Sequence, residues 1–395
     1  MQPRARFVPD ELNYPAAPNS HFDQAPTLPC YLPGLYVNRF VIDWTDSPQA
    51  VSLGRSSSAN TAGFDYRLTL SKKLMNSIPV TVRVDAIRDE APDIRVYVIS
   101  RIDGEPFSAY EPGAHIDVTS PSGVMRQYSL CGDPDQLQHY EFAVKHETRS
   151  RGGSRSLHND VTPGTQLITS APRNLFRLDD TATGHILMAA GIGITPLLSM
   201  AYRLLREHPR FTLHYFVRDF ASAAFMTLLT ESRFAEHVVV HYGVEPSKLG
   251  HEVIVCLTDV PPGTHVYTCG PSGFMDCVVR TGESVLPASS IHLERFFAES
   301  TVAREAVASF EVEIASNGTK VRVEPDQSIV DALASAGILI DTSCGEGVCG
   351  TCMVDVLSGE PEHRDHCLSK AERASGKVIC CCVSRSTSPL LVLDL

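Results

Sequence analysis

The sequence predicts a multidomain chain: an antiparallel β-barrel, an α/β module built on a parallel sheet, and a small β-grasp module at the C-terminus. Three observations predict it. From Pro79 to Thr169, short strand-like runs alternate with turn residues and show little helix signal. A continuous apolar run, His185 to Ala190, suits a buried parallel strand and leads into glycines and an apolar helix pattern. Seven of the 12 cysteines lie between Cys344 and Cys382, just after two alternating segments that read as a hairpin. A length of 395 residues also exceeds one ordinary core.

Composition narrows the function class. With 43% apolar and 20% charged residues, the chain reads as soluble and globular. A formal net charge of −12 argues against nucleic acid as a partner, because phosphate binding needs a basic surface. Met1 to Pro18 lacks the apolar centre of a secretory signal. The longest apolar stretch, His185 to Ala201, is broken by Gly191, Gly193 and Pro196, so no membrane span is expected. The expected location is the cytoplasm, where clustered cysteines bind metal or do redox work more often than they form disulfides.

In the barrel region the clearest strands are Val80–Val84, Ile94–Ile99, His115–Val118 and Tyr140–Val144, with Arg126-Gln127-Tyr128-Ser129 on another. Alternation sends Arg126 and Tyr128 to one face and Ser129 to the other, unless a bulge or strand end intervenes. An aromatic ring beside a cation and a hydroxyl could hold a planar cofactor and its phosphate. Taken alone, the tetrapeptide is equally an ordinary strand with a surface arginine. Arg151-Gly152-Gly153-Ser154, opening a helix, adds a phosphate-type loop.

In the central module, Gly191-Ile192-Gly193-Ile194-Thr195-Pro196 precedes a helix expected over Leu197–Leu205. Pro196 departs from the G-x-G-x-x-G fingerprint. Two glycines still allow close backbone approach, Thr195 can cap, and Pro196 suits a first helical turn. The strand Phe211–Val217 ends at Arg218-Asp219, and His265–Thr268 ends at Cys269-Gly270-Pro271 before a helix from Phe274. Ligands of open α/β sheets bind beyond such strand ends. Asp219 would accept from a ribose hydroxyl and repel an extra phosphate, favouring NADH, with Arg218 beside it; the competing reading is an exposed ion pair.

The C-terminal module carries Cys344-x4-Cys349-x2-Cys352, the plant-type [2Fe–2S] spacing, which needs a distant fourth thiolate. Cys380, Cys381 and Cys382 are the candidates. Gly345, Gly347 and Gly350 let the backbone wrap closely and aim amides at sulfur. Zinc sites usually pair C-x2-C knuckles, and only one such pair occurs here. Phe310–Ile314 and Lys320–Val323 form the expected hairpin. Ser328 with Asp331 caps a helix over Ile329–Ala336, and Gly337 stops it.

Taken in order, these motifs resemble the phthalate dioxygenase reductase family, reductases of Rieske-type aromatic-ring and demethylating oxygenases. The resemblance runs from about Pro79 to Leu395. Besides the motifs above it includes Leu130-Cys131, Ala143-Val144-Lys145, Pro172-Arg173-Asn174, Glu294-Arg295-Phe296, Cys382-Val383-Ser384-Arg385 and Leu391–Leu395. It implies an FMN barrel over 79–180 (FAD being the alternative flavin), an NAD-binding domain over 181–298, a linker at 299–308 and a ferredoxin domain over 309–395. Residues 1–78 have no counterpart: a docking arm or a partly ordered tail, rich in Pro, Ser and Asn, with a strand-like patch at Leu35–Trp44 and a loose stretch at Arg55–Ala62.

The resemblance also implies roles. Arg126, Gly152, Gly153 and Ser154 would hold the FMN phosphate, and Tyr128, Ser129, Val144 and Lys145 would surround the ring. Phe296 would cover the flavin. Gly191, Gly193, Thr195, Pro196, Arg218, Asp219, Gly270 and Pro271 would serve the nucleotide, with Cys269 near the nicotinamide. Ser129 and Cys269 are the candidate catalytic residues. Cys344, Cys349, Cys352 and Cys382 would bind iron, with 29 residues between the last two. NADH gives up two electrons as hydride and a [2Fe–2S] cluster accepts one, so a flavin is needed between them. The expected partner is a Rieske oxygenase. The rivals are a reductase serving a cytochrome P450 and a non-catalytic iron–sulfur protein.

Overall fold

Alternating residues build the first sheet. In β1 (Val80–Ala91), Val82 and Val84 are buried while Thr81, Arg83 and Asp85 face solvent. β1 pairs antiparallel with β2 (Ile94–Arg101) and with β6 (Gln166–Thr169). β3 (His115–Thr119), β4 (Met125–Ser129) and β5 (Tyr140–Lys145) complete an antiparallel sheet of order β4-β3-β6-β1-β2-β5. The sheet curls into a barrel, and an antiparallel bridge between Leu130 and Phe142 joins its two edges. Tyr97, Ile116, Leu130 and Phe142 fill the interior, joined by Leu157 from the helix Gly153–Asp160.

The computed structural model describes residues 79–148, 152–207, 210–296 and 308–395. The 1–78 extension, including Leu35–Trp44 and Arg55–Ala62, lies outside them, as do Arg151 and all but the last residue of the 299–308 linker. The described residues fall in one compact unit.

The second sheet is wholly parallel: β7 (Gly184–Ala190), β8 (Phe211–Val217), β9 (Val238–Tyr242), β10 (Thr264–Cys269) and β11 (Ile291–Glu294), in the order β11-β10-β7-β8-β9. Every residue of β7 is buried, as a continuous apolar run at the centre of a covered sheet should be. The chain runs outward from β7 to β9 and then restarts at β10 on the other side. A crevice therefore opens beyond the carboxyl ends of β7 and β10. The helix after β7 spans Ile194–Glu207, starting earlier than the pattern suggested because a 3-10 turn, Gly191–Gly193, feeds directly into it. Ile94, Val96 and Ala143 of the barrel share one apolar cluster with Leu197, Leu198 and Ala201 of this helix, so the two modules share a core.

The third sheet joins β12 (Phe310–Ile314), β13 (Lys320–Val323), β14 (Met353–Ser358), β16 (Val378–Cys380) and β18 (Leu390–Leu393) in the order β13-β12-β18-β14-β16. β15 (Pro361–Glu362) and β17 (Arg385–Ser386) form a separate ribbon. β12 and β18 run parallel, and the helix Ile329–Ser335 packs Ile329 and Leu333 on the sheet, which makes a β-grasp. Ser328 Oγ accepts the Asp331 amide at 3.0 Å, the expected cap. Arg385, buried, donates to the carbonyls of Gln327 and Glu324, tying the end of the chain to the start of this helix. Among the described residues, no helix is long and apolar enough to cross a membrane.

Candidate electron-transfer site

β14 and β16 pair with Met353 opposite Cys380, so the cysteine loop before β14 faces the cysteines that end β16. The thiols of Cys349 and Cys382 stand beside Cys344, and those of Cys380 and Cys382 beside Cys352. Backbone amides add to this: Glu346 N donates to Cys344 Sγ at 3.2 Å, Thr351 N to Cys349 Sγ at 3.4 Å and Cys382 N to Cys352 Sγ at 3.4 Å. Neighbouring thiols first, and then the amides of Val348 and Cys349 at Cys344 and of Cys382 at Cys352, pull Cys344 and Cys352 well below the ordinary thiol range. Gly347 makes the wrap possible. Its φ is +71°, and a Cβ there would stand 2.5 Å from Val383 Cγ2. A set of sulfur donors with amides aimed at them suits an iron–sulfur cluster. Among the three adjacent cysteines, Cys382 touches both Cys344 and Cys352, Cys380 touches Cys352 and Cys367, and Cys381 is fully buried.

A cavity of about 270 Å³ opens beside this loop. The barrel contributes Arg126, Tyr128, Ser129, Lys145 and Ser154, the nucleotide module Ile192, Thr195 and Phe296, and the cluster loop Cys344, Glu346 and Val348. Ser129 reaches it along with Arg126 and Tyr128, as the last residue of β4, and Gln127 lines it too. A Cβ on Gly153 would stand 3.0 Å from Arg126 Cγ, so the start of the helix Gly153–Asp160 lies against the arginine, a suitable cradle for a phosphate. Two expectations change. Val144 turns its side chain into the barrel core, and its strand neighbours Ala143 and Lys145 face the cavity instead. Thr195 does not cap, since its hydroxyl donates back to the Ile192 carbonyl at 3.0 Å from inside the helix.

The nucleotide loops meet closely. A Cβ on Gly193 would lie 2.2 Å from the Cys269 carbonyl oxygen, so only glycine brings the Gly191 loop against the Cys269 loop. Gly270 and Pro271 continue that loop into the helix Ser272–Gly282, and Pro196 is buried in the first turn of its own helix. Arg218 and Asp219 stand exposed at the carboxyl end of β8. They pair at 3.5 Å, while Asp219 also accepts the Ser222 amide, and neither lines the cavity.

Sequence reasoning missed two residues. Glu294 lies opposite Cys269 in the β10–β11 register and accepts from Ser129 Oγ at 3.2 Å. Burial pushes its carboxyl up to about 8, and the Ser129 bond opposes this only in part. His115 Nδ1 lies 3.9 Å from Glu294 Oε1, and burial and then Arg173 bring its imidazole down to about 4. Both line a second, smaller cavity with Ser129 and Phe296. The available signal for Glu294 was its place at the head of the Glu294-Arg295-Phe296 motif, in which only Phe296 had been given a role. The barrel also touches the cluster loop: Ser343 Oγ donates to Asp117 Oδ1 at 2.6 Å, and Arg173 holds Asp117 Oδ2 at 2.7 Å.

Comparison with known proteins decides the family. A family described as a 2Fe-2S iron–sulfur cluster binding domain matches residues 312–387. A vanillate O-demethylase oxidoreductase of Pseudomonas sp. (strain HR199 / DSM 7063) is 40% identical over 317 residues, which cover 80% of this chain and 100% of that protein. The structure of phthalate dioxygenase reductase is 37% identical with a TM-score of 0.59, covering 80% of this chain and 98% of the other. This chain belongs to the phthalate dioxygenase reductase family. It is an oxidoreductase of an oxygenase system, with a flavin-binding barrel, a parallel-sheet nucleotide module and a β-grasp [2Fe–2S] module. An intact type IV self-sufficient cytochrome P450 monooxygenase also resembles it, 35% identical with a TM-score of 0.72 over 81% of this chain and 41% of that longer protein.

Proposed function

We propose that this reductase takes electrons from NADH through FMN to a [2Fe–2S] cluster and delivers them, in the cytoplasm, to a Rieske-type oxygenase. One observation carries the reading: a single cavity is lined by the barrel, by the nucleotide module and by Cys344 of the cysteine loop. A bound flavin supplies the conversion of a two-electron hydride into single electrons, and a cluster accepts them one at a time.

The chain's own residues do the positioning. Arg126 and the amides at Gly153 and Ser154 hold a phosphate, Tyr128 and Phe296 flank the ring, and Ser129 offers a hydroxyl at its edge. Gly193 lets the nucleotide loop close on Cys269, which sets the nicotinamide's place. Asp219 accepts from a ribose and repels a 2′-phosphate once it exchanges Ser222 for the nucleotide. Cys344, Cys349, Cys352 and Cys382 hold the irons, with Cys344 on the cavity wall so that the transfer path is short.

The test is an anaerobic NADH titration of purified holoprotein, with flavin extraction and iron counting on the same sample. One FMN and two irons per chain, both reduced by NADH, are expected; a flavin without iron, or zinc in its place, overturns the reading. The likeness to the self-sufficient P450 favours a second acceptor, a haem monooxygenase. Turnover reconstituted with a Rieske oxygenase and not with a P450 decides between them.

A further inference from the structure

Two cysteines outside the proposed cluster set face each other. Cys367 Sγ and Cys380 Sγ are 3.0 Å apart, on segments that are 13 residues apart in sequence. Cys367 sits in the loop between β15 and the helix Lys370–Ser375, and Cys380 ends β16. Their exposures differ. Cys380 is fully buried, whereas Cys367 is half-buried and lines the small cavity where barrel, nucleotide module and cluster loop meet. Cys380 also stands opposite Met353 in the sheet, next to Cys352, so the pair lies close behind a proposed iron ligand.

We infer that Cys367 and Cys380 form a peroxide-reactive dithiol that closes reversibly to a disulfide and shields the cluster ligands behind it. The sulfurs need to approach by only about 1 Å to reach bonding distance. Peroxide entering the cavity meets Cys367 first. The Cys367 thiol is oxidised to a sulfenic acid as one peroxide oxygen leaves as water. The Cys380 sulfur then attacks that sulfur, the S–S bond forms and the second oxygen leaves as water. Two thiols have then lost two electrons and two protons, and one peroxide has become two waters. A small dithiol reductant reverses the step.

A metal fits the pair less well, although Asp365 lies near enough to complete a three-ligand set. Asp365 Oδ2 accepts the Leu368 amide at 3.0 Å, Oδ1 accepts Ser384 Oγ at 3.2 Å, and the Arg373 guanidinium is 3.6 Å away. That carboxylate is already satisfied, with a cation where a divalent ion would bring more positive charge.

Disulfide formation stands independently of the proposed electron path; the shielding role rests on it. Holoprotein is treated with one equivalent of hydrogen peroxide, alkylated in denaturant and digested with trypsin. The peptides Asp365–Lys370 and Val378–Arg385 are expected joined, lighter than the separate pair by two hydrogens and released by dithiothreitol. Cys381→Ser should keep the link. Cys367→Ser should abolish it, keep the starting iron content and bleach several-fold faster under peroxide. Unjoined peptides, a link through Cys381, or a third metal ion lost in Cys367→Ser overturns the proposal. Equal bleaching with the link present overturns the shielding role. A link formed in protein that never holds iron leaves the dithiol standing and removes the electron path.

Discussion

At the scale of single residues, the assignment of Cys382 turns on one contact pattern. Its thiol meets both Cys344 and Cys352, whereas Cys380 is shared between Cys352 and Cys367. Cys382→Ser should therefore lose the visible absorbance and iron of the cluster, and Cys380→Ser should keep most of both; iron analysis and visible spectra check this. The three nearest ligands were legible because their spacing is local. Choosing among three adjacent cysteines was not, because it depends on how β16 meets β14. Glu294 gives a pH signature. With an ordinary carboxyl near 4.5 and a folded one near 8, the folded protein alone keeps the proton between those limits. Stability should fall as pH rises through that window, by at most about 1.4 kcal/mol per pH unit, and level off above it. Glu294→Gln should flatten the slope, read from thermal unfolding at stepped pH. Its role escaped the sequence because Ser129 and Cys269, its neighbours in space, lie far away along the chain.

At the scale of elements, the approach of the Gly191 and Cys269 loops is fixed by one missing methyl. Gly193→Ala forces a carbon to 2.2 Å from a backbone oxygen, and neither loop can yield without shifting its strand. The variant should lose about 1–3 kcal/mol of stability and bind NADH several-fold more weakly, read by thermal unfolding and NADH titration. Glycine and proline spacing foretold this strand–turn–helix unit. The helix start was misjudged because a 3-10 turn lets Ile194, Thr195 and Pro196 join the helix, and the Thr195 hydroxyl turns back on the chain. The barrel strands followed from alternation. Alternation within β5 also explains why Ala143 and Lys145 face the cavity while Val144 fills the core.

At the scale of the whole molecule, the modules differ in how they are joined. Barrel and nucleotide module share an apolar core, while the barrel meets the cluster loop through polar bonds at Ser343, Asp117 and Gln127. Polar contacts between modules tolerate adjustment better than a shared core does. Ser343→Ala should leave iron content and NADH-driven flavin bleaching unchanged and slow cluster reduction several-fold, as stopped-flow absorbance would show. Module order was legible from motifs in sequence, but their convergence on one cavity was not, since pattern carries no distance between modules.

The central claim is that hydride enters at the barrel and electrons leave through the cysteine loop. Anaerobic stopped-flow mixing of holoprotein with NADH, followed at flavin and cluster wavelengths, tests it most directly. Flavin bleaching should come first and cluster reduction second, at a rate independent of protein concentration. A cluster that stays oxidised, or is reduced only in collisions between molecules, would contradict the account.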